Sequence, residues 1–323
     1  MTIEELKNSL LAAPKNGYAR LSAEDRAEME AFCKDYAAFI DACKTEREAV
    51  VWAVELLKAH GFVELIPGAQ LNPGDKVYRN VHGKALMMAV IGSESMNNGA
   101  RICAAHIDSP RMDLKPNPLY EDAGMAFLKT HYYGGIKKYQ WVTVPLALHG
   151  VVYRKDGSVV TVTIGEDDND PILMVSDLLI HLSADQMQKT AAKVIAAEQL
   201  NVILGTEPLE GEGGDLVKLN VMKFLNEKYG LIESDFLSAE LTIVPAGKSR
   251  EVGLDRSLIA AYGHDDRVCG YTCLAPLLTL GTPKHTAVCL LADKEEIGSV
   301  GISGMHSFAF ETFIHDLCHC TQA

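Results

Sequence analysis

At 323 residues and 48% apolar, the chain is long enough to bury a large core and to hold two domains. A formal net charge of −13 argues against a nucleic-acid partner, which needs a basic face. No apolar run approaches the roughly 20 residues that span a bilayer, and Met1 to Leu11 mixes charges with apolar residues, so neither a membrane helix nor a signal peptide is expected.

Residues 1–62 read as helical. Ser22 is placed to cap a helix running to about Cys43, with Glu24 and Asp25 in the first turn, where negative charge suits the helix dipole. Thr45-Glu46-Arg47-Glu48 is a capping box that opens a second helix, with Val50, Val51, Val54 and Leu57 on one face and Gly61 just past its end. Lys76 to Gly92 reads as two strands around a His82-Gly83 turn. Arg101 to His106 is a further apolar strand that delivers His106 at its C-terminal end, where open α/β sheets place ligands. Asp108, two residues on, can steer one ring nitrogen of that histidine while the other faces a metal. A structural histidine is the plainer alternative.

After Pro110 the pattern changes. Lys115-Pro116-Asn117-Pro118 reads as a rigid, non-helical crossing. Short alternating strands follow at Val142 to Tyr153 and Ser158 to Ile164, then a polar loop from Gly165 to Asp170, a helix near Val217 to Tyr229 and a strand from Leu241 to Pro245. These boundaries divide the chain into 1–108 and 245–323, two parts of one catalytic α/β domain, and 109–244, an inserted β-rich domain, with a single continuous α/β domain as the alternative. Eight cysteines occur without a CxxC pair, and Cys103, Cys273 and Cys289 fall in apolar runs, so they read as reduced core residues of a cytoplasmic protein. Cys269 and Cys273 share a helical face and are likewise read as core.

The stretch from Ala261 to Ser299 carries the chemistry. Asp265-Asp266 precedes a small-residue helical run, and Glu295-Glu296 follows an apolar strand, Ala287 to Ala292. Two carboxylate pairs at the ends of neighbouring elements, with His106 and Asp108 elsewhere, suit a hydrolytic site for zinc or a harder divalent ion. A solvated acidic loop is the competing account of Glu295-Glu296.

His106-Ile107-Asp108-Ser109-Pro110, His264-Asp265-Asp266-Arg267 and Glu295-Glu296-Ile297-Gly298-Ser299 resemble three signature segments of the aspartyl aminopeptidase family, and Tyr133-Gly134-Gly135 resembles its glycine-rich segment. The family belongs to the clan of co-catalytic zinc exopeptidases. The resemblance implies a mixed sheet between helices, interrupted by an inserted dimerisation domain. It implies two divalent metal ions, zinc foremost with manganese or cobalt as alternatives. His106 and Glu296 would be metal ligands and Asp265 the bridge, with an Asp265–Asp266 peptide that is often cis in this clan. Glu295 would be the general base and Asp108 a second catalytic residue. Peptides ending in Asp or Glu at the N-terminus would be the substrates. The chain would form a homo-oligomer, with His181 reaching a neighbouring subunit's site. The family pattern also has an aspartate and a histidine ligand downstream of the glutamate pair, and the chain ends at Ala323 before their matching places, so each ion is expected to keep two protein ligands. His315 and His319 share a helical face there, and a polar stripe is the expected account of them. The same loss is expected to uncover apolar faces such as Val288 to Leu291. Two alternatives stay open: a non-catalytic scaffold subunit, and a related metallo-carboxypeptidase or deacylase.

Overall fold

The structure is a computed structural model that describes residues 1–322, and the chain divides into two units, Met1–Ala38 and Phe39 onward. In the first unit, helix α1 (Ile3–Leu10) opens on a capping box. The Thr2 hydroxyl accepts the Glu5 N–H at 3.2 Å and the Glu5 carboxylate accepts the Thr2 N–H at 2.6 Å. Helix α1 buries no residue. Helix α2 (Ala23–Ala42) starts at Ser22, whose hydroxyl accepts the Asp25 N–H at 3.1 Å while Asp25 accepts the Ser22 N–H at 2.9 Å. The expected cap is therefore present and reciprocal.

The second unit begins its regular structure with helix α3 (Glu46–Ala59), opened by the Thr45/Glu48 capping box. Its buried face is Glu46, Ala49, Val50, Ala53 and Leu57, while Val51 is exposed. The helical period moves Val51 about 100° from Val50, past the edge of the stripe. In chain order the strands are β1 (Val63–Glu64), β2 (Lys76–Val81), β3 (Ala85–Val90), β4 (Arg101–His106), β5 (Arg111–Asp122), β6 (Met125–Tyr133), β7 (Leu146–Tyr153), β8 (Val159–Ile164) and β9 (Val202–Gly205). Helix α4 (Leu216–Tyr229), β10 (Ala239–Pro245), the hairpin β11 (Arg250–Val252) and β12 (Leu258–Ala260), helix α5 (His264–Thr279), β13 (Ala287–Ala292) and helix α6 (Ala309–Cys320) complete it.

Two main sheets result. The first is mixed, in the order β1-β2-β3-β13-β4, and the second is antiparallel, in the order β8-β7-β10-β5-β6-β9. The β2–β3 hairpin turns at His82 and Gly83, with φ of 56° and 68°, the left-handed geometry that a two-residue turn needs to match strand twist. Strand β3 is buried at every position and β13 at all but Ala287, as befits strands covered on both faces. Helix α6 closes one face with Phe313, Leu317 and Cys320 against Val77, Met87 and Leu290. In the second sheet Met112, Leu148, Val162 and Ile243 form the core together with Leu225 of α4.

Three expectations change. Lys115-Pro116-Asn117-Pro118 is not a crossing between elements but lies inside β5. The ladder with β6 shifts register between Leu114 and Leu119, so the prolines occupy an irregularity where no ladder N–H is required. Cys103 and Cys269 are exposed rather than core, and Cys273 is only half-buried. Val288 to Leu291 are buried, because α6 packs over Val288 and Leu290 and α5 packs against β13. Apolar exposure falls instead on β4, at the edge of this sheet, where Ile102 is 50% exposed.

Candidate metal centre

Strands β4 and β13 run parallel, with Ala292 paired to His106, so the segments that follow both strands leave the sheet at one edge. Helix α5 begins nearby with Asp265 and Asp266 in non-helical geometry, joined by a cis peptide bond. One donor atom from each of His106, Asp265 and Glu296 lies within 4.8 Å of the others. His106 Nε2 is 3.3 Å from Asp265 Oδ1 and 3.6 Å from Glu295 Oε2. Glu295 and Asp265 face solvent, with side chains 58% and 81% exposed, whereas that of His106 is 11% exposed.

Asp108 organises this edge from beneath. Its fully buried carboxylate accepts His106 Nδ1–H at 3.2 Å, the backbone N–H of Glu295 and of Glu296 at 3.2 Å each, and the Tyr133 hydroxyl at 2.8 Å. Burial alone would raise the Asp108 carboxyl, but the hydrogen bonds from His106, Tyr133 and the Glu296 N–H outweigh it and hold the group below its ordinary range. For His106, burial opposes the charged ring, yet Asp108 raises its pKa to about 9. Glu296 is pushed up, first by burial and then by the neighbouring Asp265 charge.

The loop after β4 ties the remaining segments together. Ser109 Oγ donates to the Asp265 carbonyl at 2.6 Å, Ile107 N–H donates to the Ala292 carbonyl at 2.9 Å, and Arg267 Nη1 donates to the Ile107 carbonyl at 3.2 Å. Arg267 is completely buried over the Tyr262 ring at 5.3 Å. Gly134, at φ +67°, brings its backbone so close to Glu296 that a Cβ there would lie 2.6 Å from Oε2. Sequence reasoning assigned no role to Tyr133, Ser109 or Arg267. All three stand inside the signature segments, and that adjacency was the available signal. His181 sits in an exposed 3-10 turn, Ile180–Leu182, and is not among the gathered donors. His315 projects into solvent with its side chain 80% exposed, beside Asp316, which pairs with Arg79 at 2.6 Å.

An imidazole and two carboxylates this close form a donor set that fits a divalent cation. Three protein donors plus water is the usual complement of catalytic zinc, and Glu296, raised first by burial and then by the Asp265 charge, is a carboxylate whose charged form a cation there would favour.

Residues 39–323 match the family of aminopeptidase I zinc metalloproteases, M18. A probable M18 family aminopeptidase 1 of Clostridium acetobutylicum is 50% identical over 317 residues, covering 97% of this chain and 68% of that protein. The chain belongs to that family. The crystal structure of the Thermotoga maritima M18 aminopeptidase superposes with a TM-score of 0.91 at 41% identity, covering 97% of this chain and 68% of that one. Aminopeptidase I of C. acetobutylicum superposes with a TM-score of 0.88 at 46% identity, covering 96% and 69%. The M18 chain thus spans about two thirds of the length of these relatives. Family membership makes it a zinc metalloprotease of the aminopeptidase class, a hydrolase, and disfavours both the scaffold reading and the carboxypeptidase or deacylase reading.

Proposed function

We propose that the chain releases single residues from peptide N-termini, with His106, Asp265 and Glu296 as the metal ligands and Glu295 as general base. The convergence of those three donors at the end of the β4–β13 pair carries this reading. Two ions, with Asp265 shared between them, is the arrangement the resemblance implies. Bound zinc supplies acidification of water and polarisation of the scissile carbonyl. The protein's own groups do the rest. Asp108 keeps the His106 Nδ1 proton on the inner side, so that Nε2 is the nitrogen that faces the donor cluster and would take the ion in place of its own proton. Glu295 keeps an exposed carboxylate next to the donor cluster, within reach of a water and able to take its proton and pass it to the leaving amine.

Several finer features belong to the same proposal. Segment 109–244 is an insertion, supported by a six-stranded sheet drawn wholly from residues 111–245. Self-association through it is supported by the exposed apolar run Leu178, Leu179, Ile180 and Leu182, which brackets His181, the residue proposed to reach a neighbouring subunit. S. cerevesiae mApe1, whose structure is a dodecamer, shares the fold at a TM-score of 0.69 and 20% identity. A cytoplasmic location is supported by eight unpaired cysteines. No helix among the described residues is long and apolar enough to cross a membrane. Preference for N-terminal Asp or Glu rests on the family resemblance.

The test is Glu295→Gln, assayed with chromogenic Asp, Glu and Leu amides in the presence of zinc. The variant is expected to retain zinc and lose at least about 100-fold in kcat, the worth of a general base. Unchanged turnover removes Glu295 from that role, and a parent chain that prefers the Leu amide removes the acidic preference.

A further inference from the structure

We infer that Tyr133, which belongs to the antiparallel sheet, is a positioning residue for the metal centre and acts through Asp108. The inference rests on the reading that His106, Asp265 and Glu296 hold a cation. A carboxylate offers about four acceptor directions, and all four on Asp108 are used. The three contacts that face the site, from His106 and the two glutamate N–H groups, are each 3.2 Å. The fourth, from the Tyr133 hydroxyl, is 2.8 Å and is the shortest of the set. Tyr133 therefore sets the rotation of the carboxylate that holds the backbone of Glu295-Glu296 and shares His106 Nδ1 with the Asp108 carbonyl, which lies 2.9 Å from that nitrogen.

The tyrosine is held from behind as well. It is paired in register with Arg111 across β5 and β6, and the Arg111 guanidinium lies 4.2 Å from its ring centroid. Arg111 is clamped by both oxygens of buried Glu46, at 2.6 and 3.3 Å, and by Asp113 at 2.7 Å. A chain of buried contacts thus runs from the first turn of α3 through the second sheet to the loop that carries the proposed ligand and base. The residue after Tyr133, Gly134, abuts the Glu296 carboxylate itself. Second-sphere partners of this kind tune affinity without touching the ion.

Tyr133→Phe removes only the hydroxyl and keeps the ring beneath Arg111. Zinc affinity, measured by competition with a chromophoric chelator, is expected to fall about 10- to 100-fold. The unfolding midpoint without zinc is expected to drop by only about 2–4 °C, the effect of one hydrogen bond. In an Asp108→Asn background the same substitution is expected to add nothing, because the two act as one unit. Zinc binding within about twofold of the parent, a full additional loss in the Asp108→Asn background, or a Tyr133→Phe chain already unfolded without zinc would each overturn the positioning role. A parent that binds no zinc overturns the ligand reading and this inference together, whereas a parent that binds beside an unaffected variant overturns the inference alone.

Discussion

A methyl group at position 134 would sit 2.6 Å from Glu296 Oε2 and 3.0 Å from its Cβ, on a residue whose φ is +67°. Gly134→Ala is therefore expected to displace the Glu296 carboxylate and weaken zinc binding, with a stability cost of about 1 kcal/mol from the left-handed backbone. Isothermal titration separates the outcomes, since unchanged affinity would mean Glu296 is not held against this loop. Deeper in, Glu46 is buried and its pKa lowered to about 2. Burial works against the carboxylate, and the Arg111 and Lys84 charges outweigh it. Glu46→Ala leaves the buried Arg111 guanidinium with Asp113 as its one remaining carboxylate, and urea unfolding should show a loss of about 3 kcal/mol. A loss under about 1 kcal/mol would mean the pair is solvated rather than buried. The gathering of His106, Asp265 and Glu296 was anticipated from the resemblance of three segments to a known family, since spacing alone left a structural histidine and a solvated loop open. Tyr133 and Glu46 were not anticipated, because their partners lie 25 and 65 residues away and a hydroxyl or a helix-opening glutamate has ordinary uses.

Between elements, His149 of β7 joins the first turn of α3 to the loop after β8. Its Nδ1 meets Glu48 at 2.8 Å and its Nε2 meets Glu166 at 3.0 Å. Burial disfavours the charged ring, but the two carboxylates raise its pKa from 6.5 to about 9. A raised histidine contributes its stabilisation fully below about pH 6.5 and loses it as pH climbs through about 9. Glu48, held below its ordinary 4.5, contributes above that pH and loses its share as pH falls. The clamp is thus expected to be strongest between about pH 4.5 and 6.5. Denaturation midpoints should fall from pH 6.5 to 9 more steeply in the parent than in His149→Gln, where the slope from His106 remains, with about 3 kcal/mol as the ceiling for the difference. Identical slopes would remove the clamp. The caps of α2 and α3 were readable because a capping box is a local pattern of four residues. Strand β5 was missed because Pro116 and Pro118 speak against a ladder, and only the partner strand reveals that the ladder skips them. The cysteines of β4 and α5 were misplaced for a related reason, since an apolar run does not say whether its strand is central or at an edge.

Across the whole molecule, β4 pairs on one side with β13 and presents Ile102, Cys103 and Ala104 to solvent, with Val268 of α5 also exposed. An unpaired apolar edge of this kind templates association. Ile102→Lys is expected to reduce concentration-dependent self-association in sedimentation velocity, and an unchanged profile would place association elsewhere, for instance at Leu178 to Leu182. The overall architecture was legible because three signature segments stand in order along the chain. Which sheet each strand joins was not, because that depends on pairings such as β13 with β4, which are 186 residues apart and leave no local trace.

Anomalous diffraction at the zinc edge, from crystals of this chain soaked in zinc, tests the central claim most directly. The account predicts density bounded by His106 Nε2 and the carboxylates of Asp265 and Glu296, with His106 Nδ1 still on Asp108. Zinc bound instead at the thiols of Cys269 and Cys273, or no zinc at the His106 edge, would contradict it.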